Sequence, residues 1–245
     1  MVEERMNEMI IDVCFVPAEY DAEKYEGYTA VVIDVFRATT TMAAAFTNGC
    51  AGIIPVKTVE EAFAKRAELG DDVMLAGERG GVLIEGFDLG NSPFEYTAEM
   101  IGGKTLVMTT TNGTFALNTV LSAPCIYTVS LASCAAVCRA LRADGRNVVI
   151  VCAGTERRFS VEDTLCAGLI ADRLSDIATL RDKACAAQAM YQGYQTKDFD
   201  ARVTASSHGC YLVERGFADD VAHCLRHDIY DVAPIYRNGI ITVEK

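Results

Sequence analysis

Short apolar runs rich in β-branched residues alternate with helix-like patterns along most of the chain, at residues 9–16, 29–35, 53–56, 73–76, 105–109, 125–129 and 147–152. Most are apolar at successive positions, so a strand built from them needs cover on both faces, which helices packed above and below a sheet provide. The pattern predicts an α/β protein of three layers, α/β/α, around a largely parallel or mixed central sheet. A Ser or Thr followed three residues on by an acid marks helix starts at Thr58 with Glu61, Ser92 with Glu95 and Ser160 with Asp163, and Pro93 suits a first helical position. Gly49, Gly70 and Gly145 mark helix ends. Beyond about residue 155 the pattern is mainly helical up to Pro234–Ile241, where Asn238-Gly239 suits the type I′ turn of a hairpin expected to complete a sheet edge. No linker or low-complexity segment interrupts the chain, so residues 1–245 read as one α/β domain or two intimately packed halves.

Charge narrows the function classes. The 22 Lys and Arg against 34 Asp and Glu leave a formal charge of −12, which argues against a nucleic-acid surface. No run of 18 uncharged apolar residues occurs and the N-terminal MVEERMNEM is too charged for a signal peptide, so a cytoplasmic protein without a membrane segment is expected. Ten cysteines are scattered through apolar patterns without a CxxC pair, which points to buried, reduced thiols rather than zinc, redox or disulfide chemistry. GxSxG and GxxxxGK[ST] are both absent, which weakens serine-hydrolase and P-loop readings.

In a parallel sheet, ligands bind beyond the carboxyl ends of the strands, and the segments at those positions are polar. After 29–35 come Arg37 and Thr39, Thr40 and Thr41; after 73–76 comes Gly77-Glu78-Arg79-Gly80-Gly81; after 105–109 comes Thr110-Thr111-Asn112-Gly113-Thr114; after 147–152 comes Ala153-Gly154-Thr155-Glu156-Arg157-Arg158. Threonine alone is explained by strand preference and helix capping. Two threonine-rich turns beside glycine amides also form the donor cradle that phosphate requires. Asp34, inside an apolar run, needs a cation: either Arg37 or Arg79 as an ion-pair partner, or Mg²⁺ shared with a second acid such as Glu78. Asn91 and Ser92 lie on a tight turn, Glu162 and Asp163 in the first turn of a helix, both ordinary structural settings as well as candidate sites. His208, His223 and His227 have no metal-ligand spacing; His208, beside Ser206, Ser207 and Gly209, is the one with most claim to a role.

Taken together, IDVFRATTT at 33–41, GER at 77–79, GFDLGNSP at 86–93, TTNGT at 110–114 and AG…SVEDTLCAG at 153–168 resemble the 2-phosphosulfolactate phosphatase family, over about residues 10 to 240. The resemblance implies a Mg²⁺-dependent phosphohydrolase that converts 2-phospho-3-sulfolactate to 3-sulfolactate and phosphate, a step toward coenzyme M. Under it, Asp34, Glu78 and Asp163 are the expected metal ligands and Asp34, Arg37 and Glu162 the catalytic groups. Either Asp34 or Glu162 would orient water or act as nucleophile. Thr39, Thr40, Thr41, Arg79, Asn91, Ser92, Thr111, Asn112, Gly113, Thr114 and Arg158 would hold a small anionic phosphomonoester. A sulfonate is anionic throughout the physiological range and needs a second cationic pocket, for which Arg157 and Arg158 are nearest. Another phosphorylated 2-hydroxy acid as substrate, and a non-catalytic module binding a phosphorylated metabolite, are the alternatives. A homodimer is the ordinary expectation at this size.

Overall fold

The computed structural model describes residues 9–70 and 72–243. Each of the seven apolar runs contributes a strand: β1 (Met9–Cys14), β2 (Thr29–Ile33), β3 (Gly52–Pro55), β4 (Val73–Arg79), then the two-residue β5 (Val82–Leu83), β6 (Thr105–Thr109), β7 (Cys125–Val129) and β8 (Val148–Cys152). The sequence pattern does not mark β5 or β9 (Ala178–Leu180), which are too short to carry a periodicity. The predicted hairpin is β10 (Pro234–Arg237) and β11 (Ile240–Val243), turning at Asn238 (φ 52°) and Gly239 (φ 89°). Both central residues have positive φ, as a type I′ turn demands.

The eleven strands among the described residues form one sheet in the order β5-β4-β6-β3-β11-β10-β7-β2-β8-β1-β9. One parallel set is β4-β6-β3 and the other β7-β2-β8-β1-β9. The hairpin, expected at an edge, sits between them and pairs antiparallel with both β3 and β7. Pro234 and Arg237 at the ends of β10 are residues an edge strand also carries, so the sequence gives no sign of this interior place. Passing through three antiparallel pairings reverses the sense of one parallel set relative to the other. In a flat sheet their carboxyl ends would lie at opposite edges; sheet twist rotates strands several places apart relative to one another, and the loops that follow them reach further.

The central strands β2, β7 and β8 are buried on both faces, which is why they are apolar at successive positions. Along β2, Val31 and Ile33 join one core cluster while Ala30 and Val32 join another; along β8, Val148 and Ile150 oppose Val149 and Val151 in the same way. The first core lies under α5 (Cys134–Asp144), α6 (Val161–Leu174) and α7 (Asp182–Tyr194), and the second under α1 (Ala38–Thr47) and α4 (Gly113–Thr119). A third, smaller cluster packs α2 (Val59–Leu69) on β4 and β6. The remaining helices are α3 (Ala98–Ile101), α8 (Phe199–Thr204), α9 (Ser207–Glu214) and α10 (Ala218–Cys224).

The local signals were uneven guides. Thr58 and Ser160 cap α2 and α6, accepting from the amides of Glu61 and Asp163. Ser92 caps nothing: Pro93–Glu95 is a single 3-10 turn, Ser92 Oγ donates to Asp220 at 2.8 Å, and the Glu95 carboxylate reaches the Gly90 amide instead. All ten cysteines are free and eight are buried, Cys185 and Cys210 being exposed. No helix among the described residues is long and apolar enough to cross a membrane.

Candidate active site

Asp34 follows β2 directly and is 5% exposed. The threonines after it close the turn into α1. Thr39 Oγ1 donates to the Asp34 carbonyl and accepts from its amide, Thr40 Oγ1 donates to the Val35 carbonyl, and Thr41 Oγ1 donates to the Asn91 carbonyl at 2.8 Å. The second threonine turn repeats the device, with Thr114 Oγ1 donating to the Thr110 carbonyl and Thr110 Oγ1 accepting from the Thr114 amide. These hydroxyls, expected as a phosphate cradle, are committed to backbone groups, and Thr39, Thr40, Thr41 and Thr114 do not line the cavity beside Asp34.

That cavity, about 340 Å³, is lined by Asp34, Arg37, Glu78, Asn91, Thr111, Asn112, Glu156, Arg158 and His208, with Phe36, Phe159, Tyr211 and Leu212 as its apolar walls. Asp34 and Glu156 come from the β7-to-β9 set and Glu78 and Thr111 from the β4-β6 side, so residues from both sets of strand ends meet at one cavity. Of the other expected site residues, Arg79 and Thr114 line a separate cavity, and Ser92, Gly113, Glu162 and Asp163 stand in supporting positions.

Each of these has a defined partner. Glu78 accepts from the Thr111 amide and the Gly81 amide, both at 2.7 Å, which fixes its carboxylate. Asp163 accepts from the Val35 and Gly154 amides, each at 2.9 Å, and so ties the end of β2 to the end of β8. Arg37, 2% exposed, donates to Asp220 and to the Gly81 carbonyl, both at 2.6 Å, with its guanidinium 4.0 Å above the Phe217 ring. Gly113 has no side chain because there is no room: a Cβ there would lie 2.8 Å from Asp34 Oδ2 and 2.7 Å from the Ala38 methyl. Gly113→Ala is therefore expected to displace the Asp34 carboxylate and lower turnover at least tenfold, with about 1–2 kcal/mol of lost stability from overpacking. Unchanged kinetics in a folded variant would rule out the contact.

The group least visible in the sequence is His208, at the start of α9. Its Nδ1 lies 2.8 Å from Glu162 Oε1, a partner 46 residues away, and it lines the cavity. Burial alone would lower its pKa, but the Glu162 carboxylate outweighs this and holds it above the usual imidazole value. Asp34 is pushed up to about 7, first by burial and then by Glu78 and Glu162, against the pull of His208. Burial, with the charges of Glu162 and Asp34, likewise raises Asp163.

Five buried side-chain oxygens among the described residues have no partner within the protein, those of Thr128 and Ser130 away from the cavity and three at it: Asn91 Oδ1, Thr155 Oγ1 and Glu162 Oε2. Asn91 and Thr155 line the cavity and Glu162 touches its histidine. Buried polar atoms are otherwise nearly always satisfied, so their concentration here marks a place prepared for a polar ligand. The donor set fits Mg²⁺, a hard cation that takes one or two carboxylates and fills its shell with water and phosphate oxygens. Asp34, Glu78 and Asn91 Oδ1 supply such oxygens; no cluster of three His, Cys, Asp or Glu able to hold a metal is assembled among the described residues.

The 2-phosphosulpholactate phosphatase family model matches residues 14–239. A protein of Clostridium acetobutylicum described as a probable 2-phosphosulfolactate phosphatase is 41% identical over 237 residues, which cover 95% of this chain and all of that one. Proteins of the same description from Thermotoga petrophila and Thermotoga maritima are 40% and 39% identical, each match covering 96% of this chain and 99% of the relative.

Proposed function

The chain belongs to the 2-phosphosulfolactate phosphatase family, and from that premise we propose that it is a phosphoric monoester hydrolase converting 2-phospho-3-sulfolactate and water to 3-sulfolactate and phosphate. The observation that carries this reading is the Glu162–His208 pair facing Asp34 and Glu78 across one cavity. A doubly charged ester cannot approach two carboxylates unless a cation intervenes. Asp34, Glu78 and Asn91 would hold Mg²⁺, which supplies charge neutralisation at the phosphoryl group.

The chain's own residues do the rest. Arg37 presents a positive charge whose orientation is locked by Asp220, Gly81 and Phe217, so little reorganisation is needed when the ester binds. Hydrolysis joins a water oxygen to phosphorus as the ester P–O bond breaks, and the departing alkoxide needs a proton. With Nδ1 held by Glu162, His208 can deliver one from Nε2, and the carboxylate favours the protonated form of the ring. Phosphate release from 2-phospho-3-sulfolactate, phosphoglycolate and phospholactate, each with Mg²⁺ and with chelator, tests activity, metal dependence and substrate together. No release from any of the three would refute the proposal, and preference for another of them would move the substrate assignment.

His208→Gln is expected to lower kcat/KM by about 10²- to 10⁴-fold, the usual contribution of a placed acid. The sign of the pH effect follows from the raised pKa. The wild type carries its acid below that value and loses activity as pH rises through it; His208→Gln should lack this alkaline limb. An unchanged alkaline limb would assign the proton to another group.

For the sulfonate, Arg158 is the cavity cation free to move: its side chain is 82% exposed and its closest acid oxygen, on Glu156, is 3.8 Å away. Arg158→Met should raise KM for phosphosulfolactate about tenfold, the loss of one charge-assisted contact. Turnover of a phosphomonoester without a second anionic group should change little, and equal losses on both substrates would discredit the assignment.

A further inference from the structure

A second cavity, about 430 Å³, opens on the other side of the Thr110–Thr114 turn. Its lining contains three cations, Lys57, Arg79 and Arg157, and no carboxylate. None of the three has an acid within ion-pair distance among the described residues, and here three such cations share one cavity. In a chain of charge −12, three cations around one hollow without an ion pair, Arg79 feeling only the more distant Glu60 carboxylate, are the reverse of what composition favours.

The backbone delivers one of them deliberately. Glu156 and Arg157 both adopt left-handed conformations, with φ of 50° and 65°, in a turn closed by mutual backbone hydrogen bonds of Thr155 and Arg158. Such conformations are unfavourable for side chains of this size and persist only where the surroundings hold them. The turn divides adjacent residues between hollows: Glu156 and Arg158 line the active-site cavity, and Arg157 lines the second, its guanidinium 4.6 Å from the Phe115 ring. Arg79 is anchored by donating to the Glu78 carbonyl and to Thr109 Oγ1. The hydroxyls of Thr114 and Thr119 donate to the Thr110 and Phe115 carbonyls, so they are not free donors for a ligand.

We propose that this cavity is a second oxyanion site, separate from the catalytic one, that takes a tetrahedral dianion of the inorganic phosphate or sulfate class. Three converging cations repel one another unless an anion lies between them, and arginine forks bind tetrahedral oxyanions through paired N–H groups. Thr111 borders both cavities and donates from its amide and hydroxyl to Glu78, so an occupant of the second site lies one residue from an active-site carboxylate.

The test is calorimetric titration of the full chain, in chelator, with inorganic phosphate and separately with sulfate. The expected result is a site whose affinity falls about tenfold or more in Arg157→Met, as for one lost charge-assisted contact, and stays within about twofold in Arg158→Met. Lys57→Met, on an exposed side chain, should weaken it in the same way, and circular dichroism would verify that each variant is folded. Loss with phosphate alone would restrict the ligand to phosphate, and loss with both would extend it to sulfate. Crystals soaked in tungstate should show anomalous density between Arg79 and Arg157. An isotherm unaltered by Arg157→Met and Lys57→Met, no binding heat with either anion, or density confined to the active-site cavity would overturn the assignment. The site stands on its own geometry, so a protein that releases no phosphate from any ester could still bind here.

Discussion

Asp34→Asn should lower kcat/KM roughly a thousandfold, the scale on which a metal-holding or charge-stabilising group acts, while making the protein more stable. The two effects share one cause. Asp34 is buried beside Glu78 and near Glu162, and burial with these charges raises its pKa from the ordinary 3.8 to about 7. An acid whose folded pKa is raised binds its proton more tightly in the native state. Stability therefore declines as pH rises from the unfolded value toward the folded one, and the full penalty is present above pH 7. Asparagine has nearly the same shape, can still accept from the Ala38 amide, and never ionises. Thermal unfolding in chelator should show the two proteins nearly alike at pH 4, and Asp34→Asn a few kcal/mol more stable at pH 8. A variant that keeps more than a tenth of wild-type activity, or that is less stable at pH 8, would contradict the assignment of Asp34 as a functional group held at the expense of the fold.

Gly168→Ala separates local preference from packing, because they predict opposite signs. Gly168 lies inside α6, where helix propensity alone makes alanine better by about 1 kcal/mol. A Cβ at this position would lie 2.1 Å from the Ala187 carbonyl oxygen and 2.7 Å from Tyr191 Cβ, both on α7. A backbone oxygen cannot step aside as a flexible side chain can, so the two helices must separate along a seam that also buries Ala167, Ala171 and Ala184. The expected outcome is a loss of about 3 kcal/mol or more in urea unfolding, at the upper end of overpacking effects. The N-terminal turn of α6 carries Glu162 and Asp163, so activity should fall as well. A midpoint equal to or above wild type would show that α6 and α7 do not approach as closely as this.

The neighbourhood of Asp34 was legible because its causes are local. An apolar run, an acid and a helix start are consecutive, and Glu78, Asn91, Thr111 and Asn112 each follow a recognisable strand or turn. Hydroxyl chemistry was less legible: the same Thr-Thr-Thr string serves a ligand or closes its own turn, and only the positions of the Asp34, Val35 and Asn91 carbonyls show that it does the second. His208 was singled out among three histidines, yet its pairing with Glu162 joins segments 46 residues apart that share no period or spacing.

Amino-acid order by itself determined the strands other than β5 and β9, the helices capped by Thr58 and Ser160, the tight turn at Asn238-Gly239 and which residues could carry the chemistry, because each depends on contacts within a few positions. Tertiary structure decided that the hairpin enters the middle of the sheet and reverses one parallel set, and that Asp34 and Glu78 nevertheless line one cavity. It also decided that Arg157 and Arg158, adjacent in the chain, face different hollows. Strand order and side-chain convergence are settled by the burial of surfaces distant in sequence, and no window along the chain contains both partners.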